Sequence, residues 1–198
     1  MRVGLFTTCL VDGLFPDAGR ATVALLERLG QPVESPLEQT CCGQMHTNSG
    51  YFEVELVRRY VDVFSCYDAV VVPSGSCAGS IRHQHPMVAR AAGDEALAQR
   101  AEAVAAQTYE LSQFVVDVLG TDQVGAYFPH SVTYHPTCHS MRLLGVGDGR
   151  CGSCETCAGS VWSSCRAGMS AAGLRHVLEL VRVGGVHGPR RLEVVIAE

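Results

Sequence analysis

The stretch DAVVVPSGSC (residues 68–77) contains the clearest strand pattern in the sequence. Four apolar residues follow Asp68, and a Pro-Ser-Gly turn then ends the run. A short apolar run that is bounded by turn residues is typical of a buried strand. Cys77 comes two residues after the turn. The stretch therefore predicts a strand that delivers a cysteine near its carboxyl end.

Three other stretches show the same kind of pattern. RVGLFTT (2–8) is a short apolar run that ends at Cys9, and SVTYHPTC (131–138) runs into Cys138. QPVES (31–35) predicts a further short strand. Cys9 and Cys138 thus follow predicted strands, as Cys77 follows the strand that begins after Asp68.

Segments with helical spacing separate these strands. Residues 16–30 predict a helix, with Pro16 in the first turn and Gly30 at the stop. Residues 48–64 predict an amphipathic helix that Asn48 or Ser49 caps. Further helices are predicted for 77–91, 94–107 and 109–119. Alternating strands and helices predict an α/β fold with a parallel, doubly wound sheet.

Composition and charge limit the function. Of the 198 residues 47% are hydrophobic and 18% are charged, so a real core is expected. The net charge of −5, without a basic run, argues against nucleic acid as a partner. No signal peptide and no membrane span are predicted, so we expect a cytoplasmic protein. Its ten cysteines are then expected to be thiols, metal ligands or redox groups and not disulfides.

The predicted topology gathers the cysteines. Ligands of doubly wound sheets lie beyond the carboxyl ends of the strands. Cys9 and Cys77 follow strands, and Cys41 and Cys42 begin the loop before a helix. These four side chains can meet at one rim of the sheet, whereas Cys138 follows a later strand.

The cysteine spacing favours an iron–sulfur cluster over zinc. Between Cys9 and Cys41 lie 31 residues, and between Gly43 and Cys77 lie 33, which is not the close CxxC knuckle of zinc fingers. Thiolates gathered at one rim suit iron–sulfur chemistry, and Gly43 would let the backbone pass close to a bulky cluster. The alternative is that Cys9 and Cys77 are small buried hydrophobic residues, the interpretation that we apply to Cys66.

The chain resembles the cysteine-rich CCG-domain proteins. These include the B subunit of heterodisulfide reductase, the iron–sulfur subunit of glycolate oxidase and, with the strongest likeness, the lactate utilization A group. The stretches that carry the resemblance are FTTCLVD (6–12), QTCCGQMHTNSGY (39–51), VVVPSGSCAGSIRHQHP (70–86), TYELSQFVVDVLG (108–120) and VTYHPTCHSMRLLGV (132–146).

The resemblance implies a Rossmann-like module that binds a [4Fe-4S]-type cluster and passes electrons. It also implies that the protein is part of a complex that oxidises L-lactate to pyruvate. Two partner proteins belong to this complex, and one of them is ferredoxin-like. The implied ligands are Cys9, Cys41, Cys42 and Cys77, with Cys138 as a further cofactor-binding residue.

One position departs from the full family pattern. Ser80 stands where that pattern has the second cysteine of a CxxC, which leaves four local thiolates. Cys138 or another residue can complete the site. A glycolate-oxidase or heterodisulfide-reductase type of subunit remains the alternative, although these usually keep that CxxC or carry a fused ferredoxin region.

Two histidines follow the cysteine of the central stretch. His83 and His85 lie where a helix begins. They can tune or ligate a cluster, or bind an anionic substrate. Equally, they can be surface or half-buried polar residues.

The chain is predicted to contain three parts. Residues 1–128 form the first CCG module, residues 129–149 begin a second, truncated module, and residues 150–198 are an aberrant tail. On this division the protein can also be an inactive truncated fragment.

The tail carries four cysteines of its own. Cys151, Cys154 and Cys157 form a C-x2-C-x2-C pattern, with Cys165 further on, a spacing typical of iron–sulfur or zinc sites. However, composition shifts here and strand patterning stops. Read in a shifted frame with free synonymous codons, the tail can encode LRLLRDVRGLGLVELPGGDECCGF, with a second CCG. We interpret the tail as the product of a frameshift near Gly149; the alternative is a genuine cluster-binding tail.

Overall fold

A four-stranded parallel sheet forms the centre of the fold. The structure is a computed structural model, and it describes residues 1–121, 124, 131–132, 143–145 and 161–162. The strands are β1 (Val3–Leu5), β2 (Val33–Glu34), β3 (Ala69–Val72) and β4 (Thr108–Glu110), in the order β2-β1-β3-β4. All neighbouring pairs run parallel. The predicted α/β class is confirmed.

Helices connect the strands. They are α1 (Cys9–Gly13), α2 (Pro16–Arg28), α3 (Gln44–Asn48), α4 (Val54–Phe64), α5 (Gly75–Ala91), α6 (Glu95–Ala106) and α7 (Leu111–Gln113), followed by a π-helical turn (Phe114–Val118). Within the part of the chain that the structure describes, none of the helices is both long enough and apolar enough to cross a membrane.

The sheet is covered on both faces. Successive side chains of a strand point to opposite faces, and in β3 Val70 and Val72 pack in one core cluster while Ala69 and Val71 pack in another. The first cluster contains residues of α4, α5 and α6, and the second contains residues of α2 and of the π-helical turn. The sheet is therefore doubly wound, as predicted.

The single helix predicted for residues 48–64 is wrong. The chain forms α3, which ends at Asn48, and then α4, which begins at Val54. Gly50 lies between them with φ +85°, a conformation that ends helices and that glycine adopts without steric cost. The N-cap position of α4 is held by Glu53 and not by the predicted Asn48 or Ser49.

The helix predicted for residues 109–119 is also partly wrong. Its first residues belong to β4, which pairs with β3 from Thr108 to Glu110. Glu110 then forms a capping box with Gln113, so the helical part begins only at Leu111. A strand of three residues gives too little pattern to separate it from the helix that follows.

A second parallel pair lies late in the chain. It joins β5 (Ser131–Val132) to β6 (Val161–Trp162). The sequence predicted a strand at 131–138 but none in the tail, so this pairing was not expected. The predicted boundaries at residues 128–129 and 149–150 lie outside the described residues.

A buried hydrogen bond ties α4 to β4 and gives a first prediction. The Tyr60 hydroxyl lies 2.9 Å from Thr108 Oγ1, which itself donates to the carbonyl of Val104. We expect Tyr60→Phe to lower the free energy of unfolding by about 1 kcal/mol, because one buried hydrogen bond is lost. Urea unfolding measures the change. Tyr51→Phe is the matched control, since Tyr51 is 66% exposed; equal effects of the two variants would contradict the prediction.

Candidate metal centre

The carboxyl edge of the sheet holds the predicted cysteines. The chain leaves β1 for β2 on one side, whereas β3 and β4 lie on the other side. In a doubly wound sheet, this reversal between β1 and β3 opens the crevice in which ligands bind. Cys9 comes four residues after β1 and Cys77 five residues after β3. Both cysteines therefore lie at the switch point.

Helix caps fix these two cysteines. Cys9 is the first residue of α1, and the Thr8 side chain caps that helix by accepting the Val11 N–H. Cys77 lies in the first turn of α5, where the Ser74 hydroxyl accepts the Cys77 N–H at 3.4 Å. The sequence placed them just after strands; the structure places them just inside helices.

The vicinal cysteines lie on the loop before α3. Gly43 follows them with φ +76°, and a Cβ atom there would lie 3.3 Å from Leu56 Cδ1. Left-handed backbone and close packing both favour glycine at this position. The Gly43 N–H donates to the Cys41 sulfur at 3.4 Å. Gly43 thus turns the chain back toward the thiols.

The four thiols meet as two pairs. The inner pair is Cys42 and Cys77, whose sulfurs are 3.2 Å apart and whose side chains are 4% and 8% exposed. The outer pair is Cys9 and Cys41, whose sulfurs are 3.9 Å apart and which reach the surface. A hydrogen bond between the Cys41 and Cys42 thiols links the pairs. Four predicted ligands are thus adjacent.

The electrostatics of this group test whether a metal fits it. The Cys42 thiol and burial raise the pKa of Cys41 well above its usual range. Burial and the Cys41 thiol raise the pKa of Cys9. The pKa of Cys42 rises to about 12, because its contact with Cys77 and burial outweigh the opposing hydrogen bond from Cys41. Cys77 has a lowered pKa, since its sulfur accepts from Cys42.

Four adjacent thiolates would repel one another here without a cation. Like charges in contact keep one another protonated, and a bound metal removes that obstacle because it deprotonates coordinating thiols. An all-thiolate donor set suits soft metals and iron–sulfur clusters. The residues present fit such a group.

The geometry differs from a finished coordination shell. Among the described residues, no three or more His, Cys, Asp or Glu side chains are arranged to hold a metal ion. The thiols instead hydrogen-bond to one another, as the inner pair does with 3.2 Å between its sulfurs. Ligands of a cluster would instead face the space between them, so the two sulfurs of each pair would have to move apart for such a group to bind.

His85 supports the vicinal cysteines from within the core. Its Nε2 lies 2.8 Å from the Cys42 carbonyl oxygen, so Nε2 carries the proton and donates it. The ring packs edge-on against Tyr60 and is 3% exposed. Burial lowers the pKa of His85 to about 4. His85 is therefore neutral, and it supports the loop by its hydrogen bond to the Cys42 carbonyl.

Ser80 and His83 connect α5 to its surroundings. Ser80 is fully buried, and its hydroxyl donates to Gln84 Oε1 at 2.6 Å. Gln84 in turn donates to Asn48 at the end of α3. His83 is exposed and lies 2.8 Å from the Leu143 carbonyl oxygen. Ser80, which stands where the full family pattern has a cysteine, thus takes part in a hydrogen-bonded link between α5 and α3.

The structure leaves some predicted residues untested and corrects one. Cys138 and the tail cysteines lie outside the described residues. Cys66 was predicted to be a small buried side chain, which is wrong: it is exposed in the turn that follows α4. Sequence reasoning also missed Ser74 and Gln39, which contact the backbone near the thiols. Ser74 could have been found as a helix N-cap three residues before Cys77.

The Ser74 cap gives a second prediction. We expect Ser74→Ala to lower the free energy of unfolding by about 1 kcal/mol, because the Cys77 N–H loses its acceptor. Ser74→Asp keeps an acceptor at this position and is expected to keep most of the stability. Thermal unfolding of the two variants measures the difference. Equal melting temperatures for Ser74→Ala and the wild type would contradict the prediction.

Comparison with known proteins agrees with this arrangement. A family model described as a cysteine-rich CCG domain matches residues 3–82. Lactate utilization protein A of Geobacillus sp. (strain WCH70) is 48% identical over 148 residues, which are 74% of this chain and 61% of that protein. The lactate utilization protein A of Exiguobacterium sp. (strain ATCC BAA-1283 / AT1b) is 50% identical over 149 residues, 73% of this chain and 60% of that protein.

A third relative is similarly close in sequence, and it too is longer than the part that this chain matches. Lactate utilization protein A of Geobacillus thermodenitrificans (strain NG80-2) is 47% identical over 73% of this chain and 60% of that protein. The chain thus spans about three fifths of the length of the curated relatives it matches. No solved structure matches the chain with significance. Residues 3–82 thus match a cysteine-rich CCG domain, and about three quarters of the chain is similar to proteins named lactate utilization protein A.

Proposed function

We propose that this chain is an iron–sulfur subunit of an L-lactate-oxidising system, and that it relays electrons in the cytoplasm. The observation that carries the proposal is the meeting of four thiols at the switch point of a doubly wound sheet. The names of the relatives supply the connection with lactate. All five cysteines in the described part of the chain are free thiols, as iron ligands must be.

The group proposed for this site is a [4Fe-4S]-type cluster, which takes up and releases single electrons when bound. Cys9, Cys41, Cys42 and Cys77 would hold it, and Cys138 is proposed as a further cofactor-binding residue. Backbone N–H groups donate to the sulfurs, from Gly43 to Cys41 among them. Hydrogen bonds to the sulfurs and burial of the inner pair are the means by which a protein tunes such a group.

A cleft beside the outer pair favours relay over oxidation of lactate at this site. It encloses about 340 Å³, and its lining includes Cys9 and Cys41. Among the described residues that line it, Asp12 alone carries a charge. A carboxylate repels an anionic hydroxy acid. Electrons are therefore expected to arrive from a protein partner, and lactate is expected to bind elsewhere in the system.

The partners proposed are two other lactate-utilization subunits, one of them ferredoxin-like. Several large apolar side chains are exposed on the segments that follow β1 and β2 in the chain. They are Leu10, Leu14, Leu37, Met45, Tyr51 and Phe52. Leu37 lines the same cleft as Cys9 and Cys41. Exposed apolar side chains of this kind can contribute to a protein contact, and the exposed outer pair is where an electron could cross to a partner.

Genetic complementation tests the proposal. The gene is deleted in its host, and growth is measured with L-lactate or with glycolate as the carbon source. We expect the deletion to abolish growth on L-lactate alone, and the wild-type gene to restore it where a Cys42→Ser gene does not. Loss of growth on glycolate instead would favour the glycolate-oxidase alternative. Unchanged growth on both would indicate an inactive fragment.

A further inference from the structure

We propose that the side chain of Gln39 replaces a missing residue of β2 in the sheet and thereby positions Cys41 beside Cys9. The inference rests on the proposed role of these two cysteines as ligands. It concerns the loop of residues 35–40, which joins β2 to the vicinal cysteines and to which the sequence assigned no role.

The register of the sheet shows which residue is missing. Val3 pairs with Val33 and Gly4 with Glu34. Continued by two residues, the same register places Pro36 opposite Phe6. Proline has no N–H and cannot donate to a sheet. The ladder between β1 and β2 must therefore stop at this position.

The two backbone groups that face the position of Pro36 lie on the neighbouring strand, and the carbonyl among them is the one that needs the N–H that proline lacks. The Phe6 N–H donates to Val71 of β3 at 3.0 Å, so it points away from β2. Because backbone groups alternate along a strand, the Leu5 carbonyl and the Thr7 N–H point toward β2. In a parallel pair, these two groups would bond the N–H and the carbonyl of the residue opposite Phe6.

The Gln39 carboxamide takes both places. Its Oε1 accepts the Thr7 N–H at 2.7 Å, and its Nε2 lies 3.3 Å from the Leu5 carbonyl oxygen. The same Nε2 lies 2.8 Å from the Pro36 carbonyl oxygen and 3.0 Å from Ser35 Oγ. A primary amide has the donor and acceptor of a peptide group. Gln39 therefore continues the ladder with its side chain.

The consequence is a fixed distance between the outer thiols. Thr7 lies two residues before Cys9, and Gln39 two residues before Cys41, so one carboxamide holds both chain segments. The sulfurs of Cys9 and Cys41 are 3.9 Å apart. Cys42 has a separate support, because His85 holds its carbonyl. Gln39 is thus a positioning residue for the outer pair, and the inner pair does not depend on it.

Disulfide trapping in the metal-free, full-length protein tests this directly. Diamide removes two electrons and two protons from a pair of neighbouring thiols and is itself reduced to the hydrazine. Peptide mapping then measures the Cys9–Cys41 and Cys42–Cys77 disulfides separately. We expect Gln39→Ala and Gln39→Glu to lower the yield of the outer disulfide relative to the inner one by about tenfold, which corresponds to about 1.4 kcal/mol.

Matched variants separate positioning from general damage. Gln31→Ala removes a glutamine at the opposite end of β2 and is expected to leave the ratio unchanged. Pro36→Ala restores a backbone N–H opposite Phe6, so adding it to Gln39→Ala is expected to recover part of the outer disulfide. Circular dichroism shows whether each variant folds. If Gln39→Ala does not fold, the disulfide ratios of Gln39→Glu and of the double variant test the inference instead.

Two results would overturn the inference. One is an unchanged disulfide ratio in a folded Gln39 variant. The other is an equal loss of both disulfides. The measurement needs no iron, so its outcome is independent of the proposed function. If the wild type takes up no iron but the Gln39 variants still show the tenfold change, the proposed cluster is refuted and the positioning role of Gln39 stands.

Discussion

On the proposed function, we expect that replacing Cys42 or Cys77 by serine abolishes iron binding. The reconstituted wild-type chain is expected to hold about four irons, as one [4Fe-4S]-type cluster requires, and each variant less than about a tenth of that amount. The inner thiols are buried and in contact, so no solvent ligand can easily replace a lost sulfur. A serine hydroxyl is also a harder ligand, which suits iron–sulfur clusters poorly. Iron and acid-labile sulfide analysis after anaerobic reconstitution measures the loss.

The chain supplies its own control for that experiment. Cys66 is an exposed free thiol on the turn after α4, away from the four grouped cysteines. Cys66→Ser is therefore expected to bind as much iron as the wild type. Full iron and sulfide content in Cys42→Ser and Cys77→Ser would contradict the assignment of the inner pair as ligands.

Acidification destabilises the metal-free protein through His85. The pKa of this histidine is about 4 in the folded chain and about 6.5 in an unfolded one. Between these values the unfolded state binds the proton and the folded state does not. The contribution of neutral His85 to the free energy of unfolding is therefore fully present above pH 6.5. As the pH falls toward 4, up to about 3 kcal/mol of this free energy is lost.

A difference between variants isolates this effect. His85→Gln keeps a donor for the Cys42 carbonyl but does not titrate in this range. We expect the slope of unfolding free energy between pH 6.5 and 4 to be smaller in His85→Gln than in the wild type, as urea unfolding at several pH values measures. His83→Gln changes an exposed histidine of the same helix and is expected to keep the wild-type slope. Identical slopes in His85→Gln and the wild type would contradict the prediction.

Strong local patterns made the fold predictable. The apolar run before Cys77 and the alternation of strands with helices are enough to predict a doubly wound parallel sheet. The split at Gly50 and the strand β4 were missed, because a single glycine and three strand residues produce no clear periodicity. Such short elements are decided by tertiary pairing, as when Thr108 pairs with Val70.

The site was predictable at the level of the thiols and no further. Their positions after strands predict a common edge, since the carboxyl ends of parallel strands meet there. The supports of the vicinal cysteines follow from contacts distant in sequence. His85 lies 43 residues from Cys42 and Gln39 lies 32 residues from Thr7. A single sequence contains no pattern that shows such pairs, although the N–H that Pro36 lacks was visible in it.

X-ray absorption at the iron edge shows whether one iron–sulfur cluster is held by the four thiols at the switch point, as we propose. The sample is the wild-type protein reconstituted anaerobically, and Cys42→Ser serves as the comparison. We expect an all-sulfur first shell with a second shell of neighbouring iron atoms in the wild type, and the loss of both in the variant. Iron surrounded by oxygen or nitrogen, or no stable iron at all in the wild type, would contradict it.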